Sequence, residues 1–276
     1  MIERSMIKRG LFITFEGIDG SGKTTQLELL YKELLLKKAG VIKMREPGST
    51  NAGEKIRSLL ADKRLYIAPV AELLLFFSSR VQLIEELIKP GLQKGKIILC
   101  DRFHDATVAY QSYGRGLNLD TIKVLENIFV LPVRPDRTFL LDCSYETAKR
   151  RMTARSGETR IEMMDRVFFE RVREGYLALA HQEPERIAVI DANKGVGEIH
   201  EQIRDDFFGW AGIGRNSILK IKDSRLQTQE GRNSILKIKD SRLQTQEGRN
   251  STLKIKDSRL QTQEGRNSRF NNKKSR

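Results

Sequence analysis

The residues with the most evident chemistry are eight in a row, Gly17-Ile18-Asp19-Gly20-Ser21-Gly22-Lys23-Thr24. They match the pattern G-x-x-x-x-G-K-[ST], and each residue type in it has a task. Glycines let successive backbone N–H groups turn toward phosphate oxygens, the Lys23 ammonium reaches the β and γ phosphates, and the Thr24 hydroxyl can ligate Mg²⁺. Such a loop binds the phosphates of a nucleotide, and its lysine reads as solvated. A second cluster is Asp101-Arg102, which closes the apolar run Ile97-Ile98-Leu99-Cys100. An acid at the carboxyl end of a buried strand beside the first would face a bound triphosphate and hold Mg²⁺ directly or through water. On its own that acid is equally an exposed ion-pair partner, and only the upstream loop favours the metal.

Two further groupings are weaker. Arg150, Arg151, Arg155, Arg160 and Arg166 crowd a segment broken by Ser156-Gly157-Glu158-Thr159, and arginines on a mobile loop can close over phosphates and stabilise developing charge. Arg155 and Arg160 flank the break and are the candidates; the other three read as solvated helix-surface residues. Phe76 and Arg80 stand four apart on one helix face, where a ring can stack on a planar base and a guanidinium can bond its edge. Spacing alone favours the plainer reading of a core phenylalanine and a surface arginine. The histidines His104, His181 and His200 lack metal-ligand spacing and read as surface or partly buried residues.

These groups need elements to hold them. Leu11 to Glu16 reads as a strand, the glycine loop follows, and Thr24 to Lys38 carries Leu27, Leu30, Leu34 and Leu35 at helical spacing. Val41 to Arg45 predicts a strand, Ala52 to Leu60 a helix, and Val70 to Lys89 a long helix stopped by Pro90-Gly91, with Leu73, Leu74, Phe77, Val81, Ile84 and Ile88 among its apolar positions. Strands at Ile97 to Cys100, Thr138 to Asp142 and Ile187 to Asp191 alternate with helices that include Phe168 to His181 and Gly197 to Phe208. Alternation of this kind predicts an α/β fold with a parallel sheet covered on both faces.

Composition separates a body from an appendix. Of 276 residues 39% are hydrophobic, enough to bury a sizeable core, and no apolar run reaches the length of a membrane span. The two cysteines, Cys100 and Cys143, sit in apolar runs and offer neither a disulfide framework nor a zinc site, which suits a reducing cytoplasm. The net charge of +14 is concentrated after Trp210: residues 211–276 hold 17 Lys and Arg against six Asp and Glu, and residues 1–210 are nearly balanced. The appendix repeats a 17-residue unit, GRNSILKIKDSRLQTQE, from Gly214, again from Gly231 and, with Thr252 in place of isoleucine, from Gly248. Each unit offers too few apolar residues for a solenoid core. The division expected is therefore a globular domain at 1–210 and a disordered basic tail at 211–276, which at most binds polyanions weakly.

An ordered series of motifs resembles the thymidylate kinase family: FEGIDGSGKTT at Phe15 to Thr25, REPGST at Arg45 to Thr50, LLFFSSR at Leu74 to Arg80, and DRFHDATVAYQSYGRG at Asp101 to Gly116, followed by RIE at Arg160 to Glu162 and FFERVREGYLALA at Phe168 to Ala180. The resemblance spans about Gly10 to Trp210. It implies a P-loop kinase fold with a five-stranded parallel sheet, helices on both faces and a lid, a homodimer, and transfer of phosphate from MgATP to dTMP. Residue by residue it implies that Phe76 stacks on thymine, Arg80 bonds its carbonyl edge, Thr107 and Gln111 approach the rest of the base, and Tyr110 crowds the sugar 2′ position. Asp19 would lie near the 3′-hydroxyl or the metal shell, Arg57 and Arg102 would hold the acceptor phosphate, and Glu46 lies in a turn near the acceptor. The stretch Asp19 to Ser21 lacks arginine, so the catalytic arginine would come from the lid. Ala106 stands where many relatives have serine, and Thr159 where many have aspartate. The classes that compete with a kinase are a P-loop protein that binds nucleic acid, for which the basic tail speaks, and an enzyme scaffold degraded by mutation.

Overall fold

The computed structural model describes residues 10–131, 133–153 and 159–212. Most of the basic tail, Arg155, and the Ser156–Glu158 stretch of the expected lid lie outside the described residues. Five parallel strands form one sheet in the order β2-β3-β1-β4-β5. These are β1 (Leu11–Glu16), β2 (Val41–Arg45), β3 (Ile97–Asp101), β4 (Arg137–Asp142) and β5 (Ile187–Asp191). The helices are α1 (Lys23–Leu36), α2 (Asn51–Ala61), α3 (Pro69–Leu83), α4 (Lys89–Gln93), α5 (His104–Thr107), α6 (Leu119–Phe129), α7 (Tyr145–Thr153), α8 (Arg166–Gln182) and α9 (Val196–Trp210).

Alternation along the strands distributes the core to two faces. Ile13 and Phe15 of β1 and Ile97 and Leu99 of β3 pack with Leu30 and Leu34 of α1, Phe169 and Val172 of α8 and Ile203 of α9. Phe12, Ile98 and Cys100, one residue out of phase, pack with Leu73, Phe77 and Leu83 of α3. A period of two turns successive side chains to opposite sides, so a strand buried on both must be apolar throughout. The sequence of β3, Ile-Ile-Leu-Cys, is of that kind. Side-chain caps start four of the helices: Thr50 accepts from Gly53 N–H at 2.9 Å, Asn118 from Thr121 N–H at 2.9 Å, Ser144 from Thr147 N–H at 3.2 Å, and Asp165 from Phe168 N–H at 2.8 Å.

The register of β1 places the site. Thr14 lies opposite Cys100 and Phe15 opposite Asp101, so the glycine loop leaves β1 beside the acid that ends β3. Order reverses at β1, with β3 on one side and β4 on the other, and the crevice beyond that point is where an open α/β sheet accepts ligands.

Three expectations need correction. The long helix does not stop at Pro90. It passes from α3 through a π-helical segment, Ile84–Ile88, into α4, where Pro90 occupies the first turn. A first-turn proline forfeits no bond the helix requires, and the wider π turn resets the ladder just before it. Leu35 and Leu74 follow helical spacing yet stand about half exposed, because each lies at the margin of its helix's buried stripe. His104 is fully buried, with Nε2 3.1 Å from Asp105 and 3.4 Å from Glu126.

Candidate active site

The glycine loop closes tightly on its surroundings. Gly20 has φ +83°, and a Cβ there would stand 2.3 Å from the Ala148 carbonyl oxygen of α7; at Gly17, with φ +136°, it would stand 2.4 Å from the Leu141 carbonyl oxygen. Only glycine meets both the left-handed backbone and the close approach. Lys23 begins α1 and donates from Nζ to the carbonyls of Gly17 (3.1 Å) and Ile18 (2.9 Å). It is buried rather than solvated. Burial, reinforced by the charge of Arg102, pulls its pKa down to about 8. Beside it the Thr24 hydroxyl donates to Asp101 Oδ2 at 2.5 Å. A hydroxyl and a carboxylate oxygen are the hard donors Mg²⁺ takes, so the pair fits that ion. Among the described residues no cluster of three or more His, Cys, Asp or Glu is available to hold a metal, and the remaining ligands of such an ion would be water and phosphate oxygens.

Arg102 joins this pocket to a second cleft. Its φ is +69°, and its backbone is pinned on both sides: Arg102 N–H donates to the Phe15 carbonyl at 3.0 Å, and Phe103 N–H donates to Glu16 Oε1 at 2.6 Å. Its guanidinium donates to Asp19 Oδ1 (2.7 Å), the Gly17 carbonyl (2.8 Å) and the hydroxyls of Tyr110 and Tyr176 (3.0 Å each). Tyr110 in turn donates to Asp19 Oδ2 at 2.9 Å, and Tyr176 to Glu16 Oε2 at 2.8 Å. Burial opposes the charge of Asp19, yet Arg102 and Lys23 hold its pKa down to about 2. Glu16 goes the other way, pushed up to about 8 by burial and the nearby charge of Asp105.

The second cleft is lined by Glu46, Arg57, Phe76, Arg80, Tyr110 and Gln111, among others. Arg80 is 1% exposed, which overturns the reading of a surface arginine. Its guanidinium lies against the rings of Phe77 (5.2 Å) and Phe103 (5.5 Å), Nε donates to Glu46 Oε2 at 2.9 Å, Nη2 stands 2.7 Å from Glu46 Oε1 as an ion pair, and Nη2 donates to Thr107 Oγ1 at 2.6 Å. Burial raises the Glu46 pKa even beside that guanidinium. Nη1 of Arg80 is buried with no hydrogen-bond partner. Arg57 donates to the Pro47 carbonyl at 3.0 Å and lines both the cleft and the phosphate pocket.

The arginine segment is arranged differently from the sequence reading. Arg160 bonds Glu72 and, at 3.3 Å, the Leu60 carbonyl. Arg151, read from sequence as solvated, lines the phosphate pocket and donates to the Ser21 carbonyl at 3.3 Å. Arg166 is exposed and paired with Glu146 and Glu170, as a surface residue should be. Thr159 and Glu162 bond reciprocally, each backbone N–H to the other's side chain at 2.7 and 3.4 Å, so the hydroxyl at 159 supports local bonding of its own. Glu16, Glu72 and Tyr176 receive no role from sequence, and Arg151 reads there as solvated. Of these only Glu16, adjoining the glycine loop, carried a positional signal.

A nucleotide-phosphate loop joined by one arginine to a cleft with an aromatic ring and an unpaired buried donor suits transfer between two nucleotides. A family model described as thymidylate kinase matches residues 15–203. The chain belongs to the thymidylate kinase family. Similar proteins include thymidylate kinases of Thermoanaerobacter pseudethanolicus, 43% identical over 197 residues (71% of this chain, 97% of the relative), and of Kosmotoga olearia, 45% identical over 197 residues (71% and 95%). The crystal structure of thymidylate kinase from Ehrlichia chaffeensis is similar at 36% identity and a TM-score of 0.60, covering 72% of this chain and 98% of that one. Thymidylate kinases phosphorylate dTMP to dTDP in dTTP synthesis, and this chain is a nucleoside monophosphate kinase with that P-loop fold. The matched span ends before the tandem repeats.

Proposed function

We propose that the cleft around Arg80 binds the dTMP base, that the glycine loop binds the ATP phosphates, and that Arg102 works between them. The observation that carries the base site is Arg80 Nη1, a buried donor without a partner in a cleft lined by the Phe76 ring. An unpaired buried donor costs about 1–3 kcal/mol, and a base carbonyl recovers that cost. Phe76 supplies the stacking face, Thr107 and Gln111 flank the base, and Tyr110 stands toward the sugar. Glu46 holds the Arg80 fork in place. Arg57 and Arg102 take the acceptor phosphate, with Asp19 beside them.

The acceptor phosphate has a second pKa near ~6, so its attacking oxygen is already ionised at neutral pH and needs no general base. The residues must instead neutralise two approaching anions and hold them in line. Lys23 and Arg102 bring two cations to that point, and Arg151, on the Ser21 carbonyl, joins them from α7. Thr24 and Asp101 would hold Mg²⁺, which supplies charge neutralisation at the phosphates. Arg155 and Arg160 remain the lid arginines of this proposal, Arg160 moving from Glu72 when the lid engages phosphate. A coupled assay of ADP release with dTMP, dUMP, CMP and AMP tests the whole assignment: turnover is expected with dTMP at many times the rate with CMP or AMP. ATP hydrolysis stimulated only by DNA would sink it. Every proposed site residue lies between Gly17 and Arg160, so a chain ending at Trp210 should give the same dTMP turnover.

The enzyme is also proposed to be a cytoplasmic homodimer. Its two cysteines are buried and unpaired, a state a reducing compartment preserves. Val70 and Leu74 on α3, and Val124 and Ile128 on α6, form exposed apolar pairs four residues apart, the spacing of one helix face. Apolar helix faces left in water are candidates for burial against a second copy. Ile128→Arg should then halve the mass measured by light scattering while leaving the circular dichroism spectrum unchanged; a mass that stays the same would remove α6 from the interface.

A further inference from the structure

One buried carboxylate, Glu72 of α3, gathers three side chains. Gln111 donates its amide Nε2 to Glu72 Oε1 at 2.9 Å, Arg115 donates Nε and Nη2 to the two oxygens at 3.2 Å each, and Arg160 bonds Oε2. Glu72 is 1% exposed and is not among the residues lining the base cleft; Gln111 is. An amide can present either its nitrogen or its oxygen to a neighbour, and the neighbour decides which. A carboxylate accepts and cannot donate, so Gln111 must turn its nitrogen to Glu72, and its carbonyl oxygen becomes the polar end available to the cleft.

We propose that Glu72 is a positioning residue for base selection: by fixing the amide of Gln111 it makes the cleft present an acceptor from Gln111 beside the donor from Arg80. This rests on the base-site reading given above. A donor next to an acceptor is complementary to a ring carbonyl next to a ring N–H, the imide edge of thymine or uracil. It is mismatched at both points to cytosine, which offers an amino group next to a bare ring nitrogen. Sites whose buried polar groups are left unpaired by the wrong ligand discriminate far more strongly than sites that differ by a methyl group. Burial works against the charge of Glu72, yet the hydrogen bonds from Arg160, Gln111 and Arg115 hold its pKa below the usual carboxylate range, so it remains an acceptor throughout the neutral range. Replaced by an amide, position 72 could donate as well as accept, and Gln111 would be free to turn over.

The test is the ratio of kcat/KM for dTMP to that for dCMP, measured on the full chain with saturating MgATP. Glu72→Gln should lower this ratio at least about thirtyfold, mainly through KM for the acceptor, with KM for MgATP within about twofold of the parent value. Glu72→Asp keeps the charge for both arginines but draws it back from Gln111, and should lower the ratio by a smaller factor even if the glutamine variant folds poorly. In a Gln111→Ala background the ratio should be insensitive to Glu72→Gln, because the group being positioned is gone. A purely structural role would instead lower activity toward both acceptors alike and would persist in that background. Unchanged ratios in Glu72→Gln and Glu72→Asp would overturn the inference while leaving the base site standing. Failure of the unaltered enzyme to prefer dTMP over dCMP would overturn the base site and this inference together.

Discussion

Lys23→Ala is expected to lower dTMP turnover roughly a thousandfold, the scale on which an enzyme loses a group that stabilises transition-state charge. The fold should survive, for a reason the structure changes. Lys23 is buried, and its ammonium reaches only carbonyls of its own loop, so its removal takes away a desolvated cation rather than a packing group. The pH dependence of stability gives an independent check. The Lys23 pKa is about 8 in the folded chain against an ordinary 10.5. Between those values the unfolded chain binds a proton that the folded chain lacks, so this residue makes stability rise with pH across the window. Thermal midpoints of the parent should therefore gain on those of Lys23→Ala as pH goes from 8 to 10.5. Near-parental turnover by a folded variant would refute the donor-site assignment, and parallel pH curves would refute the burial.

The second large effect concerns Arg80, where alanine is the wrong probe. Truncation would leave Glu46 buried and unpaired, and breaking a buried ion pair from one side costs about 3–5 kcal/mol, so loss of binding would be mixed with loss of fold. Arg80→Lys keeps a charge for Glu46 and removes the planar fork that holds Nη1 toward the cleft. A hydrogen bond from a charged donor contributes about 1.5–3 kcal/mol, so KM for dTMP should rise about 10- to 150-fold, with KM for MgATP within about threefold. Calorimetric titration of dTMP in the absence of ATP checks the same point without turnover. Equal losses for the two nucleotides would place Arg80 outside the acceptor pocket.

The two probes differ in how visible their residues were. The glycine loop and β1 could be read from sequence because local rules govern them: positive φ and close approach demand glycine at 17 and 20, and a strand covered on both faces demands continuous apolar residues. The same holds for the parallel sheet, since strands alternating with helices have few other ways to pack. The division of charge at Trp210 is likewise a property of composition.

Other features depend on residues far apart in the chain. Arg80 looks like a surface residue in its own helix, and Phe103, Thr107 and Glu46, 23, 27 and 34 positions away, make it a buried donor with one nitrogen left over. Lys23 looks solvated until the loop, closed by Leu141 and Ala148, buries it, and Arg102, arriving from the end of β3, adds its charge. Arg151 and Arg160 are near neighbours on one arginine-rich stretch, yet α7 delivers the first to Ser21 while the second meets Glu72, 88 residues away. Glu72 precedes the LLFFSSR motif with nothing local to mark it. Sequence alone determined which residue types sit on which elements, because propensity and periodicity act over a few residues. Tertiary structure decided which polar atoms are buried, paired or left over, because desolvation and hydrogen bonding are settled by whatever other part of the chain arrives.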